Sequence, residues 1–216
     1  MNKNHSSRIK LVCFDLNKTL IEENTWFELN KAMGVTEEED EFLYKIWEEG
    51  FITYSEWQDI LTRMYRKRGN PTRSNILKIV SNYTYKKGAK EIIKYLQSKN
   101  YEIALISAAM DMLIEKCTKE LNIKYFAANN RFIFDDKNVL TKMECSSNEA
   151  SQKLENLEAI CRKIGISITE CACVGDGDND KELFKTTKHG VTFKGSKLEP
   201  IAWETINNLY DLRLIF

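Results

Sequence analysis

The chain has 216 residues, 43% of them hydrophobic and 11% aromatic, enough for one packed domain carrying a smaller insertion and too apolar for a disordered tract. Lysine plus arginine and aspartate plus glutamate both number 32, so the formal charge is zero and the footprint of a dedicated nucleic-acid binder is missing. No window approaches the roughly 20 apolar residues of a membrane span, and the opening MNKNHSSRIK has no apolar stretch of signal-peptide length.

Ile9–Phe14 (IKLVCF) is a short apolar run broken only by Lys10, the pattern of a strand buried on both faces of a parallel sheet. From about Glu22 to Tyr85 the pattern is helical: amphipathic stretches at Thr25–Met33, Glu37–Glu49, Ser55–Arg68 and Thr72–Val80 are separated by turns at Gly34, Gly50 and Gly69-Asn70-Pro71. Beyond it, apolar runs at Glu102–Ile106, Lys124–Ala128, Glu170–Val174 and His189–Phe193 alternate with helices at Gly88–Lys99, Met112–Leu121 and Ala150–Ile164. Asn130–Thr141 reads as a β-hairpin turning near Asp135–Asn138. The alternation predicts an α/β, Rossmann-like parallel sheet, spanning 1–21 and 86–216, with a helical insertion over 22–85 covering the carboxyl edge of the sheet.

Six cysteines stand at positions 13, 117, 145, 161, 171 and 173. Cys171 and Cys173 alone are close, in a C-x-C spacing that suggests a buried strand with both thiols on one face. Neither the C-x₂-C spacing of zinc sites nor a small secreted framework is present, so the thiols read as reduced and the compartment as cytoplasmic.

In an open parallel sheet, ligands bind outside the carboxyl ends of the strands. Asp15-Leu16-Asn17-Lys18-Thr19 follows the first run, Ser107-Ala108-Ala109 the second, and Gly175-Asp176-Gly177-Asp178-Asn179-Asp180 the fourth. Asp15 with Asp176 and Asp180 makes an oxygen-rich site suited to Mg²⁺, and a carboxylate beside that ion can attack phosphorus. Ser107, the backbone N–H groups after it and Lys153 can hold the phosphate oxygens. GDGDND on its own is also a calcium-type loop, but the later bidentate Glu of an EF-hand is not at its place.

These segments resemble the motifs of the haloacid-dehalogenase-like (HAD) superfamily, in its phosphoserine-phosphatase-like branch: DLNKT, LIS, the lysine of ASQKLENL and GDGDND, in family order and spacing. The helical insertion resembles the family's small cap, and the hairpin also has its counterpart, so the resemblance covers nearly the whole chain. It implies a phosphatase of small phosphorylated metabolites with Asp15 as nucleophile. It also implies that Asp15, the backbone carbonyl of Asn17, Asp176 and Asp180 hold Mg²⁺. Ser107, Ala108 and Lys153 would bind the phosphate, and Asn179 would organise the site. No nucleic-acid or membrane partner is implied.

Asn17 departs from the family pattern, which has a second Asp there as general acid and base. An amide can hydrogen-bond a leaving oxygen but cannot give it a proton, a service worth roughly 10²–10⁴-fold. The readings that remain are a compensated phosphomonoesterase, an acyl-phosphatase or phosphotransferase, and a module that binds a phosphorylated ligand. Trp26, Trp47, Trp57, Phe27 and Tyr44 are expected to build the core of the insertion. The basic run Arg63, Arg66, Lys67, Arg68 and Arg73 reads as a solvated face or as a rim attracting a second anionic group. His5 and His189 receive no role.

Overall fold

The structure, a computed structural model, describes residues 9–216, so His5 lies outside it. Strands β1 (Leu11–Phe14), β2 (Glu102–Met110), β3 (Tyr125–Phe134), β4 (Leu140–Cys145), β5 (Cys171–Val174), β6 (Gly190–Phe193) and β7 (Glu204–Ile206) form one sheet, in the order β4-β3-β2-β1-β5-β6-β7. Every pairing is parallel except that of β3 with β4. All residues of β1 and β5 are buried, because helices cover both faces of the sheet. Val12 and Phe14 face one core, under α5 (Ala89–Ser98) and α6 (Asp111–Leu121). Leu11 and Cys13 face the other, under α7 (Glu149–Ile164) and α8 (Lys181–Thr187), together with Cys161, Cys171 and Cys173. The alternation is the two-residue period of a strand. All six cysteines are free thiols.

Two strands run further than their apolar patterns predict. β2 continues from Ile106 to Met110, with its register against β3 shifting between Ser107 and Met110. β3 joins the Lys124–Ala128 run and the first arm of the predicted hairpin into one strand. Its first part pairs with β2 and its second with β4, and the hairpin turns at Asp135–Asn138, where the Asn138 N–H donates to the Asp135 carbonyl at 2.8 Å. The edge strand β7, short and mixed in composition, gave no sequence signal. No helix among the described residues is long and apolar enough to cross a membrane.

Between β1 and α5 lie α1 (Thr25–Ala32), α2 (Glu37–Glu48), α3 (Tyr54–Arg68) and α4 (Arg73–Val80). Thr36 with Glu39 and Thr53 with Glu56 form reciprocal capping boxes that fix the starts of α2 and α3. Gly34 and Gly50 turn the chain at φ +77° and +78°, values that glycine adopts without steric cost. Both ends of the insertion are tied together: Ile21 bridges Tyr85, the Glu22 N–H donates to the Thr84 carbonyl and the Lys86 N–H to the Leu20 carbonyl, both at 2.9 Å.

Of the aromatic residues expected in the core of the insertion, Trp26 and Trp57 pack against it only partly buried. That core is aliphatic apart from Tyr65, with Leu29, Met33, Leu61 and Ile76 fully or nearly fully buried. Trp26 packs on Phe132 of β3 and donates its Nε1–H to the Ala108 carbonyl at 2.8 Å, docking the insertion on the sheet. Phe27 and Tyr44 are exposed, and Trp47 and Trp57 line a cleft beside the carboxyl edge of the sheet.

Candidate active site

Asp15 follows β1 directly. Its backbone N–H donates to the Val174 carbonyl of β5 at 2.9 Å, so the residue begins where both strands end. The chain then winds around the Leu16 carbonyl, which accepts from the N–H groups of Thr19, Leu20 and Ile21 at 3.2, 2.9 and 3.1 Å. Lys18 takes a left-handed φ of 59° in this turn, a conformation that non-glycine residues seldom hold outside constrained loops. Thr19 reaches across to donate its hydroxyl to Asp176 Oδ1 at 3.2 Å.

After β5, a Cβ at Gly175 would overlap the Asp180 carboxylate, so glycine is what lets the loop fold back on itself. A 3₁₀ turn over Asp178–Asp180 returns Asp180, which accepts from the Gly177 N–H at 3.2 Å. From the opposite side comes α7, whose start is capped by the Asn148 side chain accepting from the Ser151 N–H at 3.1 Å. Lys153 extends from α7 with no solvent exposure at all. Its Nζ donates to Asp15 Oδ1 at 2.8 Å, Asp180 Oδ1 at 2.7 Å and Asn179 Oδ1 at 3.1 Å.

Asp15, Asp176 and Asp180 each offer an oxygen within 4.8 Å of the others. Burial pushes the Asp176 carboxyl up, and the neighbouring Asp15 adds to this. Burial likewise pushes Asp180 up to about 6, with Lys153 opposing and Asp15 reinforcing. For Lys153, burial works against the charge, but Asp15 and Asp180 outweigh it and hold the ammonium above its usual range. Both directions have one origin: among the described residues, Lys153 is the one cation that hydrogen-bonds to these three acids. An all-oxygen donor set short of positive charge fits a hard divalent cation such as Mg²⁺.

Asp15, Lys153, Asp176, Asn179 and Asp180 thus converge as the sequence suggested. Asn17 sits at the entry to the insertion, where its Oδ1 accepts from the Thr25 hydroxyl at 3.0 Å and the Thr25 N–H at 3.4 Å. Ser107 is buried in β2, its Oγ accepting from the Ala109 N–H at 3.2 Å. The Ala108 carbonyl is taken by Trp26 and by the Asn130 side chain, so among the described residues Ser107 and Ala108 make no hydrogen bond to the acidic cluster.

Sequence reasoning missed Glu149, which accepts from Asn179 Nδ2 at 2.9 Å. The available signal was its place four residues before Lys153 on one helix face. Three residues of the basic run are engaged away from this site. Arg68 bonds the Gly34 carbonyl at 3.0 Å and Glu39, Arg66 reaches the Leu140 carbonyl at 3.5 Å, and Arg73 lies over the Phe134 ring at 5.1 Å. His189 packs edge-on against Trp203, with ring centres 5.0 Å apart.

The central strand of a Rossmann-like α/β sheet thus delivers an aspartate to a buried lysine and two further acids at the carboxyl edge. Residues 12–185 match the haloacid dehalogenase-like hydrolase family. The chain is 30% identical over 184 residues to a phosphoserine phosphatase of Methanocaldococcus jannaschii, covering 85% of each protein. It is 28% identical to one from Wolinella succinogenes, covering 94% of this chain and 95% of that one. A solved phosphoserine phosphatase with a phospho-aspartyl intermediate analogue superimposes with a TM-score of 0.77 at 26% identity, covering 96% of this chain and 99% of that one. A substrate-bound phosphoserine phosphatase gives 0.76 at 28% identity, covering 96% of both chains. The chain belongs to the haloacid dehalogenase-like hydrolases, in their phosphoserine-phosphatase-like branch, and is an enzyme of the phosphatase class.

Proposed function

We propose that the protein is a Mg²⁺-dependent phosphatase of a small phosphorylated metabolite, acting through an aspartyl-phosphate formed on Asp15. The observation that carries this reading is the contact of Asp15 with the buried Lys153 at 2.8 Å, beside Asp176 and Asp180. A carboxylate held by a fixed ammonium is oriented for attack and prevented from accepting a proton. The Asp15 oxygen bonds phosphorus as the ester oxygen leaves and takes a proton from water; a second water then attacks the acyl phosphate, releasing inorganic phosphate and returning the carboxylate. Lys153 offsets charge on the phosphoryl oxygens, with Ser107 and the N–H groups after it as further partners. Asp15, Asp176, Asp180 and the Asn17 carbonyl would hold Mg²⁺, which when bound supplies a Lewis acid and cancels the repulsion among the acids.

In this reading residues 22–85 act as a cap over residues 9–21 and 86–216, with the paired chains at Ile21 and Tyr85 as the place where it opens. The six free thiols favour a cytoplasmic enzyme.

Asn17 favours a second reading, in which the natural substrate is an acyl phosphate or the phosphoryl group passes to an acceptor other than water. The decisive assay is phosphate release from a panel of phosphomonoesters and acyl phosphates, with and without Mg²⁺, in the native chain, Asn17→Asp and Asp15→Asn. Metal-dependent release from monoesters that vanishes in Asp15→Asn is the expected result. Release from acyl phosphates alone, with monoesters cleaved only by Asn17→Asp, selects the second reading. Release that survives in Asp15→Asn would sink both.

A further inference from the structure

Next to the acidic cluster, α2 and α3 set four aromatic rings over the start of α7. Tyr44, Trp47, Tyr54 and Trp57 line a cleft of about 390 Å³ together with Glu149 and Asn179. The rings touch one another with centroids 5.5–6.1 Å apart. Four of the five ring pairs meet at 62–85°, so they stand as walls at steep angles and not as a parallel slot for a flat base. Asn179 joins this cleft to the site, donating to Glu149 at 2.9 Å and accepting from Lys153 at 3.1 Å. On the reading of Asp15 as the phosphoryl site, this cleft is the neighbouring space in which the other end of a bound molecule would lie.

The cleft is also selective in charge. No Lys, Arg or His is among the residues lining it. Of the arginines of the insertion, Arg66 reaches the Leu140 carbonyl, Arg68 is held by Gly34 and Glu39, and Arg73 lies over Phe134. Of its two acids, Asp178 is already paired with Lys181 and Lys197. Glu149, partly buried, has no ion pair among the described residues; its hydrogen-bond partners are Asn179 and Tyr54. Lys153 acts on Glu149 only through space, being bonded to Asp15 and Asp180, and a carboxylate withdrawn from water with no cation in direct contact is costly. Aromatic walls with an unpaired carboxylate match a cation whose charge is spread over an apolar surface, as in a methylated ammonium group. A substrate carrying a carboxylate at this end would meet Glu149 and find no cation.

We propose that this cleft binds a methylated ammonium group, so that the substrate is a small phosphomonoester with a cationic tail. This rests on the reading of Asp15 as the phosphoryl site, and the test separates the two. Calorimetric titration of the full chain with Mg²⁺ compares phosphocholine with 3,3-dimethylbutyl phosphate, in which carbon replaces the charged nitrogen at nearly equal shape. Phosphocholine is expected to bind about 10–30-fold more tightly. Glu149→Gln and Trp47→Leu should each reduce that ratio to within about threefold of unity, since each removes one source of the preference. Equal affinities in the native chain, or tighter binding of phosphoserine than of phosphocholine, overturns the inference. So does a ratio that neither variant moves. A binding preference without hydrolysis, even in Asn17→Asp, leaves the cation site standing and overturns the phosphatase reading. Hydrolysis without the preference does the reverse.

Discussion

In the proposed reaction Asn17 is the residue that would meet the leaving oxygen. Its Oδ1 is occupied by Thr25, so the side chain is fixed in place, and in either rotamer it has no acidic proton to give. The rate should then depend steeply on how well the leaving group departs unaided. The native chain is expected to cleave p-nitrophenyl phosphate faster than an alkyl phosphate by a wide margin. Asn17→Asp should narrow that margin by raising the alkyl rate roughly 10²–10⁴-fold. A series of leaving groups measured in both proteins checks this, and parallel plots of log kcat against leaving-group pKa would refute it. Lys153 is the second decisive residue, because it is fully buried between Asp15 and Asp180. Removing one partner of a buried ion pair strands the other, at a cost of roughly 3–5 kcal/mol. Lys153→Met should lower stability by about that amount in urea unfolding without metal, and Mg²⁺ should restore part of it. A loss below about 1 kcal/mol would mean that Asp15 and Asp180 do not depend on the lysine.

At the level of elements, the sequence was most readable where one strand faces two cores. β1 and β5 are unbroken apolar runs because both their faces are covered, and each run ends at the residue that opens the site. The helices of the insertion were equally plain, since capping threonines, glycines and amphipathic spacing agree. Reading failed where tertiary pairing sets the length of an element. The end of β2 and the middle of β3 are strand because each lies against the other, which no single apolar run records. The aromatic cleft failed for a related reason: spacing that puts Trp47 and Trp57 on helix faces does not say whether the face turns to a core or to a neighbouring loop. Glycine at the start of β6 was read only as part of an apolar run, yet a Cβ at Gly190 would overlap the Phe184 ring of α8. Gly190→Ala should therefore destabilise the protein by roughly 1–3 kcal/mol through overpacking. Adding Phe184→Leu should recover much of that loss, because the two residues touch and their effects are coupled. Thermal unfolding of the singles and the double checks it, and strictly additive losses would show that the clash is not the cause.

Across the whole molecule, the cost of concentrating acids at one edge of the sheet appears as a dependence on pH. Burial raises Asp180 to about 6, and raises Asp176 and Glu149 above their ordinary values. A raised carboxyl keeps its proton in the folded state after the unfolded chain has lost it, so between the two pKa values the folded state binds more protons. Stability contributed by such a group is present below its unfolded pKa and is lost as pH rises through its folded one. The metal-free protein should therefore lose stability as pH rises from about 4 to about 6.5, and lose little more from these groups above that. On the proposed reading Mg²⁺ would bind the deprotonated acids, so its effect should run the other way. At a hundredfold excess over Kd, a ligand specific for the folded state adds about 2.7 kcal/mol. For a chain of this size that is roughly 5–10 °C in Tm. The increment should be largest near pH 7.5 and small near pH 5, where protons compete for the same oxygens. Scanning calorimetry from pH 4.5 to 8, with chelator or with Mg²⁺, measures both curves. If the metal-free Tm instead climbs steadily through pH 6, or the Mg²⁺ increment is the same at pH 5 and 7.5, Asp15, Asp176 and Asp180 do not form a shared, proton-competitive cation site.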